Sequence, residues 1–236
     1  MQRPTDKVAL VTAASSGIGA AAARRLAADG WRLALFARSG RVEALAAELG
    51  ALAVRGDVAD PADLERLVAA TLERYGRIDG AVVSTGYPPK GELVEIPDAD
   101  WHAGLDLTLM PTVRLARLLL APMSAQGGGS IVAISAFGAV MPDADFPVSS
   151  ALRAALSAYV KLFARRYAAR NVRMNSVLAG FVDSYPEQAA IVARIPAGRY
   201  GRVEELAATI AFLLGGDAGY VTGQNLLVDG GLVGAV

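Results

Sequence analysis

Apolar residues fall along this chain in short blocks, and longer amphipathic stretches lie between them. Val8 to Thr12 is an apolar run with β-branched members, bounded by polar and small residues. That pattern predicts a strand buried on both faces of a parallel sheet. Leu33 to Ala37, Leu52 to Arg55, Ile78 to Ser84, Ser130 to Ser135, Val172 to Val177 and Asn225 to Val228 read the same way. The intervening helical stretches are an alanine-rich one ending near Asp29-Gly30, then Arg41 to Leu49, then one running from Asp60-Pro61 to Tyr75-Gly76. Trp101 to Ala125, Ser149 to Ala169 and Glu204 to Leu214 follow. Asp60 suits a helix cap and Pro61 the first helical position. Such alternation implies an α/β fold: a doubly wound parallel sheet of seven strands with helices on both faces, in one domain over 1–236.

The first strand runs into Gly17 and Gly19 and then into the alanine-rich helix. Strand, glycine turn and helix present backbone N–H groups and a positive helix end to a phosphate. This makes the sheet Rossmann-like and a dinucleotide the expected ligand. Composition narrows the rest. The chain is 53% hydrophobic, with 23 basic and 23 acidic residues and no net charge. It has enough apolar surface for a core, and its charge balance points to neither nucleic acid nor a membrane. There is no cysteine, and the single His102 cannot build a histidine metal site, so no metal is expected. No apolar run reaches the ~18 residues that span a bilayer. The stretch Met1 to Lys7 lacks an apolar signal core, and the expected compartment is the cytoplasm.

Further motifs stand in a fixed order. Thr12-Ala13 precedes Gly17 and Gly19, Asp57-Val58 follows the third strand, and Asp79 precedes the fourth. Arg173-Met174-Asn175 lies in the sixth. Gly201-Arg202 and the run from Gly223-Gln224 to Asp229-Gly230-Gly231 close the chain. The set resembles the short-chain dehydrogenase/reductase family along nearly the whole chain. The family's turn is T-G-x-x-x-G-x-G, so Ala13 replaces its first glycine. The resemblance implies cofactor contacts from Thr12, Ser15, Gly17, Ile18, Gly19, Asp57, Val58 and Gly86. At the end of the second strand Ala37-Arg38 stands where NAD-preferring members carry an acidic residue. Ala37 removes that repulsion and Arg38 can pair with a 2′-phosphate, so NADP(H) is the expected cofactor, held weakly or as a vestige.

The family's catalytic set is Asn, Ser, Tyr and Lys. Carried over position by position, these fall on Thr108, Ala136, Ser149 and Arg153. Serine is shorter and far less acidic than a phenol, and arginine keeps its proton at neutral pH. Loss of a general acid alone costs roughly 10²–10⁴ in rate. Tyr159 lies ten residues past Ser149, ~15 Å along a helix, on an apolar stripe. Alternation turns Ser135 away from Ala136's face. Tyr87, Asp143 and Asp145 are the remaining candidates near the cleft. The segment from Phe181 to Ile195 is shorter than the family's usual substrate lid and implies a poorly enclosed cleft.

The helix from Trp101 is apolar on nearly every face, and Pro111 within it frees the carbonyl of Leu107. In the family this helix and the next form the subunit interface. Three readings follow. The leading expectation is a non-catalytic structural or regulatory subunit, beside an active homologue or in a homo-oligomer, through 101–125 and 149–169. The second is an NADP(H)-dependent carbonyl or 3-oxoacyl reductase with a rearranged acid such as Tyr87 or Asp145. The third is a non-redox enzyme on the same fold.

Overall fold

The computed structural model describes residues 6–234. The seven strands are β1 (Val8–Thr12), β2 (Arg32–Ala37), β3 (Leu52–Arg55), β4 (Gly80–Val83), β5 (Gly129–Ala136), β6 (Val172–Ala179) and β7 (Asn225–Val228). They pair in the order β3-β2-β1-β4-β5-β6-β7, all parallel. Residues 1–5 lie outside the described set, and with them most of the polar stretch read for a signal core.

Helices cover both faces because each carries an apolar stripe toward the sheet. On one side α1 (Gly17–Ala28), α2 (Arg41–Leu49) and α8 (Val203–Leu214) pack Ala22, Leu26, Leu45 and Ile210 against Val11, Leu35 and Val132. On the other, α3 (Pro61–Tyr75), α5 (Met110–Ala125) and α6 (Pro147–Tyr167) pack Leu64, Leu115, Leu119 and Val160 against Leu10, Phe36 and Ile131. The start of α3 is as its sequence demands: Asp60 accepts from the N–H of Ala62 at 2.9 Å, and Pro61 occupies the first turn. α7 (Ala189–Val192) is a single turn.

The helix expected over 101–125 is two. α4 (Asp98–Thr108) and α5 meet at Leu109. Pro111 has no N–H to return to Leu107, and Thr112 instead closes a tighter bond onto the Leu109 carbonyl at 3.1 Å. Burial is also one-sided rather than all round. Leu115, Leu119 and Met123 are fully buried, Leu118 and Leu120 are half-buried, and His102 and Arg117 are exposed. On α6, Val160 and Phe163 face the chain's own core, while Leu162 points outward at 65% exposed. Among the described residues no helix is long and apolar enough to cross a membrane.

Candidate active site

The sheet order reverses direction between β1 and β4, and a cleft opens beyond the carboxyl ends of the strands there. Its volume is about 850 Å³. Ser15, Gly17, Ile18, Gly19, Arg38, Asp57, Val58 and Gly86 all line it, as do Ala136, Ser149 and Arg153.

Thr12 is fully buried and works from behind the cleft. Its hydroxyl donates to the Ser84 carbonyl at 2.6 Å and accepts from the Ser84 N–H at 2.9 Å, tying β1 to the end of β4. The turn that follows is left-handed twice, at Ala13 (φ 48°) and Gly17 (φ 55°). Glycine takes such a φ freely, whereas alanine is strained there. A Cβ on Gly19 would stand 2.5 Å from the Ala13 carbonyl oxygen, so only glycine lets α1 approach the turn. Ser16 caps α1 without a side-chain bond, which leaves the first-turn N–H groups facing the cleft. These are the fittings of a phosphate cradle.

Beyond the neighbouring strand β2, at one end of the cleft, Arg38 Nη1 lies 3.5 Å from Asp57 Oδ2. Asp57 is fixed twice: its N–H donates to Asp63 at 2.7 Å, and its carboxylate accepts from the N–H of Ala59 at 3.0 Å. That N–H of Asp57, together with Arg66, holds the Asp63 carboxyl below its ordinary range. Ser39 and Arg41 line the same end, with Arg41 donating to the Ser39 hydroxyl at 3.3 Å. Arg38, Ser39 and Arg41 form a donor set fit for the 2′-phosphate of NADP(H).

The end of the cleft opposite Arg38, beyond β4 and β5, is built by α6 and two loops. Arg153 is 6% exposed. Its Nε donates to Ser149 Oγ at 3.1 Å and its Nη1 to the Ile134 carbonyl at 2.9 Å. Burial pushes its pKa down to about 10, and the nearby Tyr87 phenol opposes that shift. Tyr87 follows β4, lines the cleft and is 61% exposed. The cleft walls crowd its hydroxyl, and with Tyr185 this pushes its pKa up to about 12. The two rings meet edge to face at 5.6 Å.

Several expectations change here. The segment from Phe181 to Ile195 encloses the cleft better than its length implied: Ser184 sits over Gly17, and Tyr185 reaches Tyr87. Ser135 is a cleft residue, and its buried hydroxyl has no partner. Asp145 is exposed and outside the cleft, whereas Asp143 lines it. Thr108 is buried with an unpartnered hydroxyl, and only its neighbour Leu107 reaches the lining. The sequence reading missed Ser39, Arg41, Lys90 and Tyr185. They come from the loops after β2, β4 and β6 and from the first turn of α2, and only the strand order brings those segments together.

Residues 12–233 match the family model described as enoyl-(acyl carrier protein) reductase. Fold and motifs together place the chain in the short-chain dehydrogenase/reductase family, to which it belongs. Among its relatives is the 3-oxoacyl-(acyl-carrier-protein) reductase FabG of Escherichia coli K12, 32% identical, with 96% of this chain and 97% of that protein aligned. The 3-oxoacyl-(acyl-carrier-protein) reductase of Synechocystis is 34% identical over 97% of this chain and 98% of its own. The solved structure of L-sorbose reductase from Gluconobacter frateurii, complexed with NADPH and L-sorbose, superposes with a TM-score of 0.92 at 29% identity over the whole of both chains. These relatives are reductases, which overturns the expectation of a non-catalytic subunit.

Proposed function

We propose that this chain is an NADP(H)-dependent reductase of a carbonyl compound, with its proton donor relocated to Tyr87. The observation that carries the reading is one cleft that holds the cationic end at Arg38, the phosphate cradle next to it and, on the far side of the cradle, the Tyr87 phenol and the Arg153 guanidinium. The reductase names of the relatives and the NADPH of the sorbose reductase support it.

In this reading the family's four catalytic positions hold Thr108, Ala136, Ser149 and Arg153. When bound, NADPH supplies the hydride that the carbonyl carbon accepts. Tyr87, protonated at neutral pH, donates to the carbonyl oxygen, and its phenolate oxygen takes a proton from solvent when the cleft empties. Arg153 stabilises the negative charge that develops on that oxygen. Tyr185 holds the Tyr87 ring in place. A phenol with a pKa of about 12 is a weaker acid than an ordinary one, so a slow enzyme is expected. Copies of the chain assemble through the outer faces of α5 and α6, where Leu162 is exposed and Leu118 and Leu120 are half-buried.

The test is NADPH oxidation by the purified chain against ketones and 3-oxoacyl thioesters, with Tyr87→Phe alongside. The variant should lose roughly 10²–10⁴ in kcat and keep its NADPH affinity. Full activity in Tyr87→Phe would move the proton donor elsewhere. No turnover with any substrate would sink the reductase reading.

A further inference from the structure

The end of the cleft beyond β4 and β5 holds a charge that no described residue balances. Both hydrogen-bond partners of Arg153, the Ser149 hydroxyl and the Ile134 carbonyl, are neutral. Taking a guanidinium out of water without a counter-charge is strongly unfavourable. Arginine carries five N–H donors in a rigid fork. Nε and one donor of Nη1 are engaged, so the rest of the fork is left for a partner that enters from the cleft. Ser135, whose buried hydroxyl has no partner, belongs to the same wall.

The other charges nearby do not help. Of the cleft carboxylates, Asp57 faces Arg38 at 3.5 Å and Asp143 faces Arg194 at 3.9 Å. Lys90, also in the lining, lies over the Phe146 ring at 4.1 Å and forms no ion pair among the described residues. The substrate region is therefore net positive, with one cation buried.

We propose that the substrate carries a carboxylate that pairs with Arg153, so that the protein reduces an oxo acid rather than a neutral ketone or sugar. A single buried guanidinium balances a single negative charge, which fits a carboxylate better than a phosphate dianion. The planar fork matches a carboxylate bidentately. The inference rests on the reductase reading. The carbonyl carbon accepts the hydride, the π pair moves to oxygen, and that oxygen takes the Tyr87 proton. The oxo acid becomes a hydroxy acid, NADPH becomes NADP⁺, and the carboxylate is unchanged.

The experiment compares 2-oxo and 3-oxo acids with their methyl esters, using the full chain and NADPH. kcat/KM should favour the acid by about 10²-fold. That preference should vanish in Arg153→Gln and persist in part in Arg153→Lys. NADPH affinity by calorimetry and the circular dichroism spectrum should stay unchanged in both. Equal kcat/KM for acid and ester in the unmodified chain would overturn the carboxylate and leave the reductase standing. A loss of NADPH affinity in Arg153→Gln, with the acid-to-ester ratio intact, would assign Arg153 to the cofactor and also overturn it. If nothing turns over, calorimetry of the same acids and esters on the protein–NADP⁺ complex decides. Acid-selective binding lost in Arg153→Gln would uphold the carboxylate site while the reductase reading falls, and unselective binding would sink both.

Discussion

Ala13 is the one place where this chain strains its backbone at the cofactor cradle, and the strain has a calculable size. Its φ of 48° puts Cβ against the following carbonyl, at a cost of about 1–2 kcal/mol for an L-residue. The neighbours enforce it: the N–H of Ala14 donates to the Phe36 carbonyl at 3.1 Å, and α1 packs Gly19 directly onto the Ala13 carbonyl. Ala13→Gly removes the strain, while the freer unfolded chain takes back about 0.5–1 kcal/mol. The net expectation is a gain of about 0.5–1 kcal/mol. For a chain of this length that is a rise in Tm of about 2 °C. In urea the midpoint should rise with the slope unchanged. Ala13 also lines the cleft, so loss of its methyl should tighten NADPH binding in calorimetry. Ala13→Val should go the other way and further, because a β-branched side chain is worse at positive φ. A lower urea midpoint for Ala13→Gly would refute the reasoning, since the turn would then be holding alanine without strain.

Arg38→Ala should weaken NADPH by about 10–10²-fold and leave NADH unchanged, read by calorimetry, because only the 2′-phosphate uses that charge. Leu162→Glu should lower the assembly state in light scattering while keeping the fold, whereas Val160→Glu and Leu115→Glu, which face the core, should abolish folding. Glu205 is pulled from its ordinary 4.5 to about 2 by Arg199 first and the Arg202 N–H second. Its contribution is therefore present above pH 4.5 and lost as pH falls toward 2. Amide exchange at the start of α8 should differ between Glu205→Gln and the parent at neutral pH and converge near pH 2.

The strands were legible because a strand buried on both faces must be a short apolar block, and β1 falls on Val8–Thr12 in both readings. The α/β class followed from the alternation of such blocks with helices. Gly17, Gly19 and Arg38 were legible because local backbone freedom and charge are properties of the residues themselves. Pro111 announced a freed carbonyl, and the helix breaks two residues before it, at Leu109. Local sequence carries no φ for Ala13, because helix α1 and the Phe36 carbonyl impose it from a distance. The substituted positions at Ser149 and Arg153, read one at a time, suggested an idle site. The reductase relatives count against that reading, and what tertiary structure alone decided is that loops from after β2, β4 and β6 reach one cleft, where Arg153 is buried and Tyr87 meets Tyr185. Burial and convergence depend on which strands are neighbours, and that is a property of the assembled sheet rather than of any stretch of chain.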